Sequence, residues 1–356
     1  MTPAGTPGGR KHRRLATIST VAGFATIVAA AVPWGVRLFV SDTTPELQKL
    51  GWIPIPIVLA VVLVGVGLLL VARVLGGSGV ARIGLVVGVL LLLVVTGEHL
   101  GTRWGTAKAC ADPVRIVHWN ATSPATENAA SQRSELATLP WDVLIVSNDA
   151  TLFGRWFAHR WEDGPGGEDR IVRRAGPFAL VTDHRVLESR LAIASGGIWL
   201  GIFRVELPVE GARAETRELV VHVLDLPSDP DIPRGPLLAD LRRRLDDLQL
   251  PEPDLVMGDL NLDAGSGALA TAYPDLIPAF ERAGAGYAAS YPRRWPLWQT
   301  DQTLVAADLQ VCRYRFLDLG FGTHRAQELS IERTRRGGSV GDQRLEAGSS
   351  RSQIQE

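Results

Sequence analysis

Three long apolar runs lie in the first hundred residues, and they constrain this chain more than any other feature. Residues 15–36 and 50–72 contain no charged side chain, and residues 83–97 are dense in leucine and valine. A helix rises about 1.5 Å per residue, so about 20 apolar residues cross the hydrocarbon core of a bilayer. The third run is shorter, but apolar residues 80–81 extend it. The sequence therefore predicts about three transmembrane helices in residues 15–100, with the lipid bilayer as a partner.

The apolar runs have two alternative interpretations. Helices buried in a soluble core are also apolar, but three such runs in a row beside a separate polar segment favour a membrane region. A cleaved signal peptide would explain only the first run.

Basic residues flank the runs unevenly. Residues 1–14 and the loop between the second and third runs carry uncompensated positive charges, whereas the first loop balances its cations with acids. The uncompensated cations are Arg10, Lys11, Arg13, Arg14, Arg73 and Arg82. Cytoplasmic loops are enriched in Lys and Arg, so residues 1–14 are expected inside and the part after residue 100 outside the cell membrane. One span fewer would reverse that orientation.

The net charge and the cysteine content argue against a nucleic-acid-binding protein and against a zinc-ribbon or thioredoxin-type site. The formal net charge is −1, which gives no general electrostatic reason to expect nucleic acid as a partner. Two cysteines, Cys110 and Cys312, lie near the two ends of the polar region, and no C-x-x-C pair occurs. They are expected to form a disulfide outside the cell or to remain two buried thiols. Residues 333–356 are polar and are expected to be a disordered tail.

Residues 110–332 alternate short apolar segments with turns, and one amphipathic helix is expected from Pro236. Strands are predicted at residues 114–119, 143–146, 178–182, 198–206, 219–224, 255–257, 304–305, 311–316 and 326–331. Many short strands with few helices favour packed sheets with helices outside them. The prediction for this region is an α/β fold.

The strongest local motif is Gly258-Asp259-Leu260-Asn261 at the end of an apolar strand. Polar side chains at the end of a strand point into a cleft, and residues two apart face the same side. Asp259 is suited to accept a proton from water, and Asn261 to donate to a phosphate oxygen. An ordinary Asp/Asn turn is the alternative for this motif taken alone.

The order of the polar residues adds a second argument. The first strand of the region ends at Asn120, Asp301 begins a later strand, and His324 precedes the last strand. This order, with Gly-Asp-x-Asn between, resembles the endonuclease/exonuclease/phosphatase family over residues 114–332. The resemblance implies a DNase I-like fold, which is a four-layer sandwich of two sheets and outer helices, and hydrolysis of phosphoester bonds.

The resemblance also implies roles for the matching residues. Asp259 is similar to the residue that orients or deprotonates the attacking water, and Asn261 to its phosphate-contacting partner. His324 matches the histidine that donates to the phosphate, and Asp301 the carboxylate that orients it. Asn120 matches the asparagine that supports a carboxylate or the phosphate. The family uses Mg²⁺ or Mn²⁺, which are expected here if the protein is active.

Three positions depart from the family pattern. Asn148 stands where a metal-binding Glu is usual, Thr323 where an Asp precedes the histidine, and Asp225 where a His is usual. Mg²⁺ prefers charged oxygen ligands, so losing two carboxylates is expected to weaken metal binding. Asp225 and Asp149, together with Asn148, are the candidates for a compensating metal site.

Three hypotheses remain from the sequence. The first is a membrane-anchored, metal-dependent phosphodiesterase or phosphatase, and the second is a family member that has lost catalysis and binds a phosphorylated ligand or partner. The third, a transporter fragment, is opposed by the lack of charges within the spans. Trp295 and Trp298 precede Asp301 and are suited to contact substrate or lipid, or to pack within their loop. Nucleic acid is a possible but disfavoured substrate, and the sequence is silent on oligomeric state.

Overall fold

A computed structural model describes residues 7–40, 42, 44–105, 110, 113–121, 136, 138–148, 170–208, 216–262 and 266–332. The predicted tail, residues 333–356, and the candidate metal ligand Asp149 lie outside the described residues.

The N-terminal region is helical. Its helices are α1 (Pro7–Phe39), α2 (Pro45–Gly51), α3 (Ile55–Val74) and α4 (Gly79–Arg103). Three of them, α1, α3 and α4, are long and apolar enough to cross a membrane, which confirms the expected three spans. The second span begins at Ile55 rather than Leu50, because Leu50 belongs to α2 and Pro54 caps α3. Proline is well tolerated where a helix begins. A backbone N–H there has no acceptor within the helix, so its absence in proline costs no hydrogen bond.

Small residues let α1 and α3 approach closely. A Cβ at Gly23 would lie 2.7 Å from Leu69, and one at Gly65 would lie 2.8 Å from Ile27. Outward side chains such as Ile83, which is 64% exposed, present apolar surface to the surroundings. Glycine at a helix contact and apolar residues facing outward are typical of helices packed within lipid.

Fourteen strands and three more helices are described after residue 103. The strands are β1 (Trp104–Gly105), β2 (Pro113–Asn120), β3 (Val143–Ser147), β4 (Ile171–Ala175), β5 (Phe178–Thr182), β6 (Val186–Ser195), β7 (Ile198–Pro208), β8 (Thr216–Asp225), β9 (Leu255–Asp259), β10 (Leu276–Pro278), β11 (Gly286–Tyr287), β12 (Asp301–Ala306), β13 (Val311–Leu317) and β14 (Ala326–Glu332). The helices are α5 (Arg234–Asp247), α6 (Gly267–Ala272) and α7 (Ala279–Ala283).

Two six-stranded sheets form the body of this region. Their orders are β10-β12-β9-β8-β7-β6 and β13-β14-β2-β3-β5-β4. The core between the two sheets consists of side chains from the inner face of each sheet. Examples are Ile116 and Leu329 from one sheet and Val221 and Met257 from the other. Each large apolar side chain buried in this way stabilises the fold by about 1.5–3 kcal/mol.

Further layers cover the outer faces. Leu238, Leu241 and Leu245 of α5 pack on the first sheet, and Trp141 with Leu319 packs on the second. The structure is therefore the predicted sandwich of two mixed sheets with outer layers. All nine predicted strands are present, some of them longer than expected. Five described strands were not predicted, namely β1, β4, β6, β10 and β11. β1, β10 and β11 have only two or three residues each, and β6 is largely exposed and lacks a continuous apolar face.

Within the described strands, the two parallel pairs are β2 with β3 and β8 with β9. The carboxyl ends of parallel neighbours meet at the same edge of a sheet. Gly258 permits close pairing there, because a Cβ at this position would lie 1.7 Å from the carbonyl oxygen of Leu224 on β8. Glycine is thus required immediately before Asp259.

The first loop of the helical region rests on the sandwich. Gln48 of α2 donates to the carbonyl oxygens of Pro230 and Ile232 at 3.1 Å and accepts from the backbone N–H of Arg234 at 2.9 Å. Asp42 accepts a hydrogen bond from Ser266 Oγ at 2.6 Å. These contacts hold Asp42 and α2 against the segments that lead into α5 and α6.

A disulfide joins Cys110 to Cys312, which settles the alternative between a bridge and two thiols. The cross-link spans 202 residues and ties the chain before β2 to β13. Closing a long loop stabilises a domain mainly by restricting its unfolded chain.

Replacing Gly258 by alanine tests the requirement for glycine at the end of β9. The added Cβ must displace the backbone of β8, so we expect a loss of about 3 kcal/mol, or about 6–12 °C in the apparent Tm. Thermal unfolding of the purified protein measures this. Gly267→Ala is the matched control, since a Cβ there meets nothing within 4 Å. Equal Tm values for the two variants would contradict the assignment.

Candidate functional site

Three aspartates lie side by side at one edge of the first sheet. Asp225 ends β8 and is paired in register with Asp259 at the end of β9, which is paired in register with Asp301 at the start of β12. Side chains at directly paired positions point to the same face of a sheet. The register of three strands therefore gathers three carboxylates in one place.

An asparagine from the other sheet reaches the central carboxylate. Asn120, at the end of β2, is buried and donates from Nδ2 to Asp259 Oδ2 at 2.9 Å. Its own Oδ1 accepts from Nδ2 of Asn148 at 2.9 Å. The predicted residues Asn120 and Asp259 are thus in direct contact although 139 residues separate them.

His324 and Asp301 form a buried pair. His324 Nδ1 lies 2.7 Å from Asp301 Oδ2, and its Nε2 lies 3.9 Å from Asp259 Oδ2. The Asp301 backbone N–H donates to Ser290 Oγ at 3.1 Å, and the Tyr291 ring lies 4.9 Å from the imidazole. The pair is held on several sides, with one imidazole nitrogen directed toward the central carboxylate.

Burial and mutual repulsion govern the charges of these groups. Burial, with the nearby negative charge of Asp301, raises the pKa of Asp259 to about 8. Burial also raises the pKa of Asp225 to about 6, against a hydrogen bond from Asn148. Removing water disfavours a charged carboxylate, and a like charge nearby disfavours it further. The cluster therefore favours a positive charge in its midst.

His324 supplies one such charge. Burial by itself would lower the pKa of His324, but the Asp301 carboxylate raises it to about 9. Burial likewise opposes ionisation of Asp301, yet His324 holds the pKa of that carboxyl below its usual range. At neutral pH the pair is an imidazolium and a carboxylate, which suits it to stabilise negative charge on a phosphoryl oxygen.

Asn261 lies at the cleft but has a structural contact. Its Nδ2 donates to the carbonyl oxygen of Leu226 at 2.8 Å, and its backbone has a φ of 45°. Asparagine tolerates this left-handed conformation better than most residues. One amide hydrogen thus holds the loop after β8, and contact of the other with a phosphate stays a prediction.

Arg234 supports the same loop from below. It is fully buried, and its guanidinium donates to the carbonyl oxygens of Pro227, Asp229, Ile232 and Asn261. Burial lowers its pKa to about 10, so it remains charged at neutral pH. The role of Arg234 depends on contacts between distant segments, which the sequence does not show.

The polar cluster opens into a cleft of about 750 Å³. Its walls include Trp52, Asn148, Trp199, Asp225, Leu226, Pro227, Asp259, Asn261, Tyr291, Trp298, Thr323 and His324. Four aromatic side chains therefore surround a negatively charged floor. All the described residues predicted for the site, except the fully buried Asp301 and Asn120, line this cleft.

The donor set fits a hard divalent cation. Single donor atoms of Asp259, Asp301 and His324 lie within 4.8 Å of one another. The short contact of His324 with Asp301 is a hydrogen bond, so these two form a pair rather than cation ligands. Asp225 and the neighbouring Asn148 offer a carboxylate and an amide oxygen, the ligand chemistry that Mg²⁺ prefers. Thr323 lines the cleft without a carboxylate.

A second buried network underlies the site. His118 contacts Ser147 Oγ and Gln327 Nε2, each at 2.8 Å, and Gln327 Oε1 accepts from Thr303 and Tyr314. Burial lowers the pKa of His118 to about 4, so this histidine is neutral. His118 is therefore a packed, hydrogen-bonded residue beneath the site.

The His324–Asp301 pair gives a testable titration. We expect His324 to stay protonated to about pH 9, and Asp301→Asn to bring its pKa down to 6.5 or below. NMR of histidine-labelled protein measures this, with the signal assigned by its loss in His324→Gln. Since the folded pKa exceeds the ordinary value of 6.5, the pair's stabilisation is full below pH 6.5 and lost as pH rises through 9. A wild-type pKa near 6.5 would exclude the ion pair.

Comparison with known proteins gives matches in structure alone. No family model matches the sequence, and no curated protein matches it. An endonuclease/exonuclease/phosphatase family protein from Bacteroides thetaiotaomicron is 12% identical, covers 62% of this chain and 98% of its own, and has a TM-score of 0.45. A mannosyl-6-phosphatase from the same organism is 12% identical, with coverages of 61% and 99% and a TM-score of 0.47.

A third match is the inositol polyphosphate 5-phosphatase domain of a synaptojanin, solved with inositol (1,4)-bisphosphate and calcium. It is 13% identical, covers 62% of this chain and 84% of its own, and has a TM-score of 0.37. The chain is similar in structure to endonuclease/exonuclease/phosphatase family proteins.

Proposed function

We propose that this protein is a membrane-anchored, divalent-metal-dependent hydrolase of phosphoester bonds. The observation that carries the proposal is the meeting of Asn120, Asp259 and the Asp301–His324 pair at one cleft, from strands of both sheets. A carboxylate beside an imidazolium, both mostly shielded from water, is suited to displacement at phosphorus.

Each residue has a separate role in the proposed reaction. Asp259 accepts a proton from water while the water oxygen forms a bond to phosphorus, and Asn120 holds the Asp259 carboxylate in place. The bond from phosphorus to the leaving oxygen breaks, and that oxygen takes a proton from solvent. His324 donates a hydrogen bond to a non-bridging oxygen, with Asn261 on the same side of the cleft. Asp259 then returns its proton to solvent.

A divalent cation, Mg²⁺ or Mn²⁺, would be held by Asp225 and Asn148. It would supply positive charge that stabilises the phosphoryl oxygens and lowers the pKa of Asp259, so that this carboxyl is ionised near neutral pH. Asp225 thereby provides, from β8, the carboxylate that Asn148 lacks at the end of β3. Asn148 donates a hydrogen bond to Asp225, so the two side chains are adjacent, which supports the idea that one carboxylate replaces the other.

The soluble domain, residues 110–332, is proposed to lie outside the cytoplasm. Three crossing helices put α2 and the domain on the same side of the membrane, as the contacts of Gln48 require. The disulfide of Cys110 with Cys312 favours an oxidising compartment. The basic residues in the first turns of α1, Arg10, Lys11, Arg13 and Arg14, favour a cytoplasmic N-terminus.

Asp259→Asn tests the role of the central carboxylate. Full-length protein in lipid nanodiscs is assayed with bis(4-nitrophenyl) phosphate and Mg²⁺ or Mn²⁺. Removing the proton acceptor should lower kcat by about 10²–10⁴-fold. The exposed Asp275→Asn is the control and should behave as wild type. Undiminished turnover by Asp259→Asn would contradict the mechanism, and phosphate binding without any turnover would select the alternative of a catalytically inactive binding protein.

Asp225→Asn tests the metal site without relying on activity. Calorimetry should detect Mg²⁺ or Mn²⁺ binding to wild type, with the Kd raised at least about tenfold in Asp225→Asn because a charged ligand is lost. Asp247→Asn, an exposed acid at the end of α5, should leave the Kd unchanged. Equal affinities in all three proteins would place the cation elsewhere.

A further inference from the structure

The membrane anchor contributes part of the wall of the proposed active site. Trp52, in the turn between α2 and α3, lines the cleft together with Asp259 and His324. Its carbonyl oxygen accepts from Trp298 Nε1 at 2.9 Å, and its ring lies 5.2 Å from the guanidinium carbon of Arg234. The cleft therefore opens beside the turn that leads into α3.

A narrow apolar crevice of about 40 Å³ continues from the cleft along this turn. It shares Trp52, Asn261, Trp298 and Thr300 with the cleft. Its remaining walls are Arg37, Ile53, Pro54, Leu262, Leu297 and Gln299. Residues of the anchor and of the sandwich thus form the crevice jointly.

The two spaces together match an amphiphile. The cleft has carboxylates, amides and an imidazolium, which suit a phosphoryl group and a cation, whereas the crevice has mainly hydrocarbon. Pro54 caps α3, and α3 is one of the three apolar helices long enough to cross a membrane. The crevice therefore lies where that helix begins, at the level of a bilayer surface.

Exposed aromatic residues agree with this position. Trp295 is 80% exposed in the turn that leads to Trp298, and Tyr291 on the same turn is 38% exposed. Tryptophan and tyrosine are enriched at membrane interfaces, where one end of the ring is apolar and the other is polar.

We infer that the substrate is an amphiphilic phosphoester resident in the membrane. Its phosphoryl group occupies the cleft, and the first few methylene groups of its apolar part lie in the crevice between Ile53 and Leu297. This inference rests on the proposed phosphoester hydrolysis and names its substrate class. A water-soluble phosphoester would leave the crevice unfilled and gain nothing from the anchor.

A pair of model esters tests this class. Full-length protein in nanodiscs is given 4-nitrophenyl methyl phosphate or 4-nitrophenyl octyl phosphate, the latter below its critical micelle concentration. Each buried methylene improves binding by about fourfold, which corresponds to about 0.8 kcal/mol. The octyl ester should therefore have a kcat/KM at least about tenfold above that of the methyl ester.

Two matched variants separate the crevice from partition of the octyl ester into the bilayer. Leu297→Gln places a polar group in the crevice and should bring the octyl/methyl ratio well below that of wild type. Leu187→Gln changes an equally apolar residue on β6, outside the crevice, and should keep the wild-type ratio. An octyl/methyl ratio near one in wild type, or the same ratio in both variants, would overturn the inference and leave phosphoester hydrolysis standing.

A binding measurement tests the substrate class independently of turnover. If neither ester is hydrolysed, the proposed function fails, and octylphosphonate and methylphosphonate are compared by calorimetry in the same three proteins. Tighter binding of octylphosphonate that Leu297→Gln weakens and Leu187→Gln does not would still support an amphiphilic ligand. Equal affinities for the two phosphonates would overturn it.

Discussion

Three carboxylates at the end of one sheet, shielded from water, repel one another, and much of the surrounding structure compensates for this repulsion. His324 pairs with Asp301, Asn120 donates to Asp259, and Asn148 donates toward Asp225. In a medium of low dielectric constant such contacts are stronger than in water, and leaving a charge unpaired is costly. The residual excess of negative charge is the physical basis for proposing a bound cation.

The anchor and the sandwich are connected by more than the covalent chain. Gln48 and Trp52 hydrogen-bond to the sandwich, and β1, directly after α4, pairs with β11. Arg234 lies between the two regions, since it organises the loop beside the cleft and faces the Trp52 ring. The helical region therefore contributes to the surface beside the candidate site, because Trp52 lines the cleft.

Much of the fold was predictable because its signals are local. The apolar runs predicted three helices, and the alternating segments predicted strands such as β5, whose bounds agree with the expectation. The start of α3 was placed five residues too early, because apolar Leu50 continues the run although it belongs to α2. β6 was missed because its side chains are mostly exposed and give no apolar pattern.

The sequence by itself determined the helical anchor, the order of the strand-ending polar residues and the glycine before Asp259. Only the tertiary structure decided that Asn148 contacts Asn120, that Arg234 supports the Asn261 loop, and that Trp52 borders the cleft. The reason is physical. The periodicity of helices and strands depends on neighbouring residues. The pairing of distant strands, and the contact of the turn between α2 and α3 with the sandwich, depend on how the whole chain buries its apolar surface.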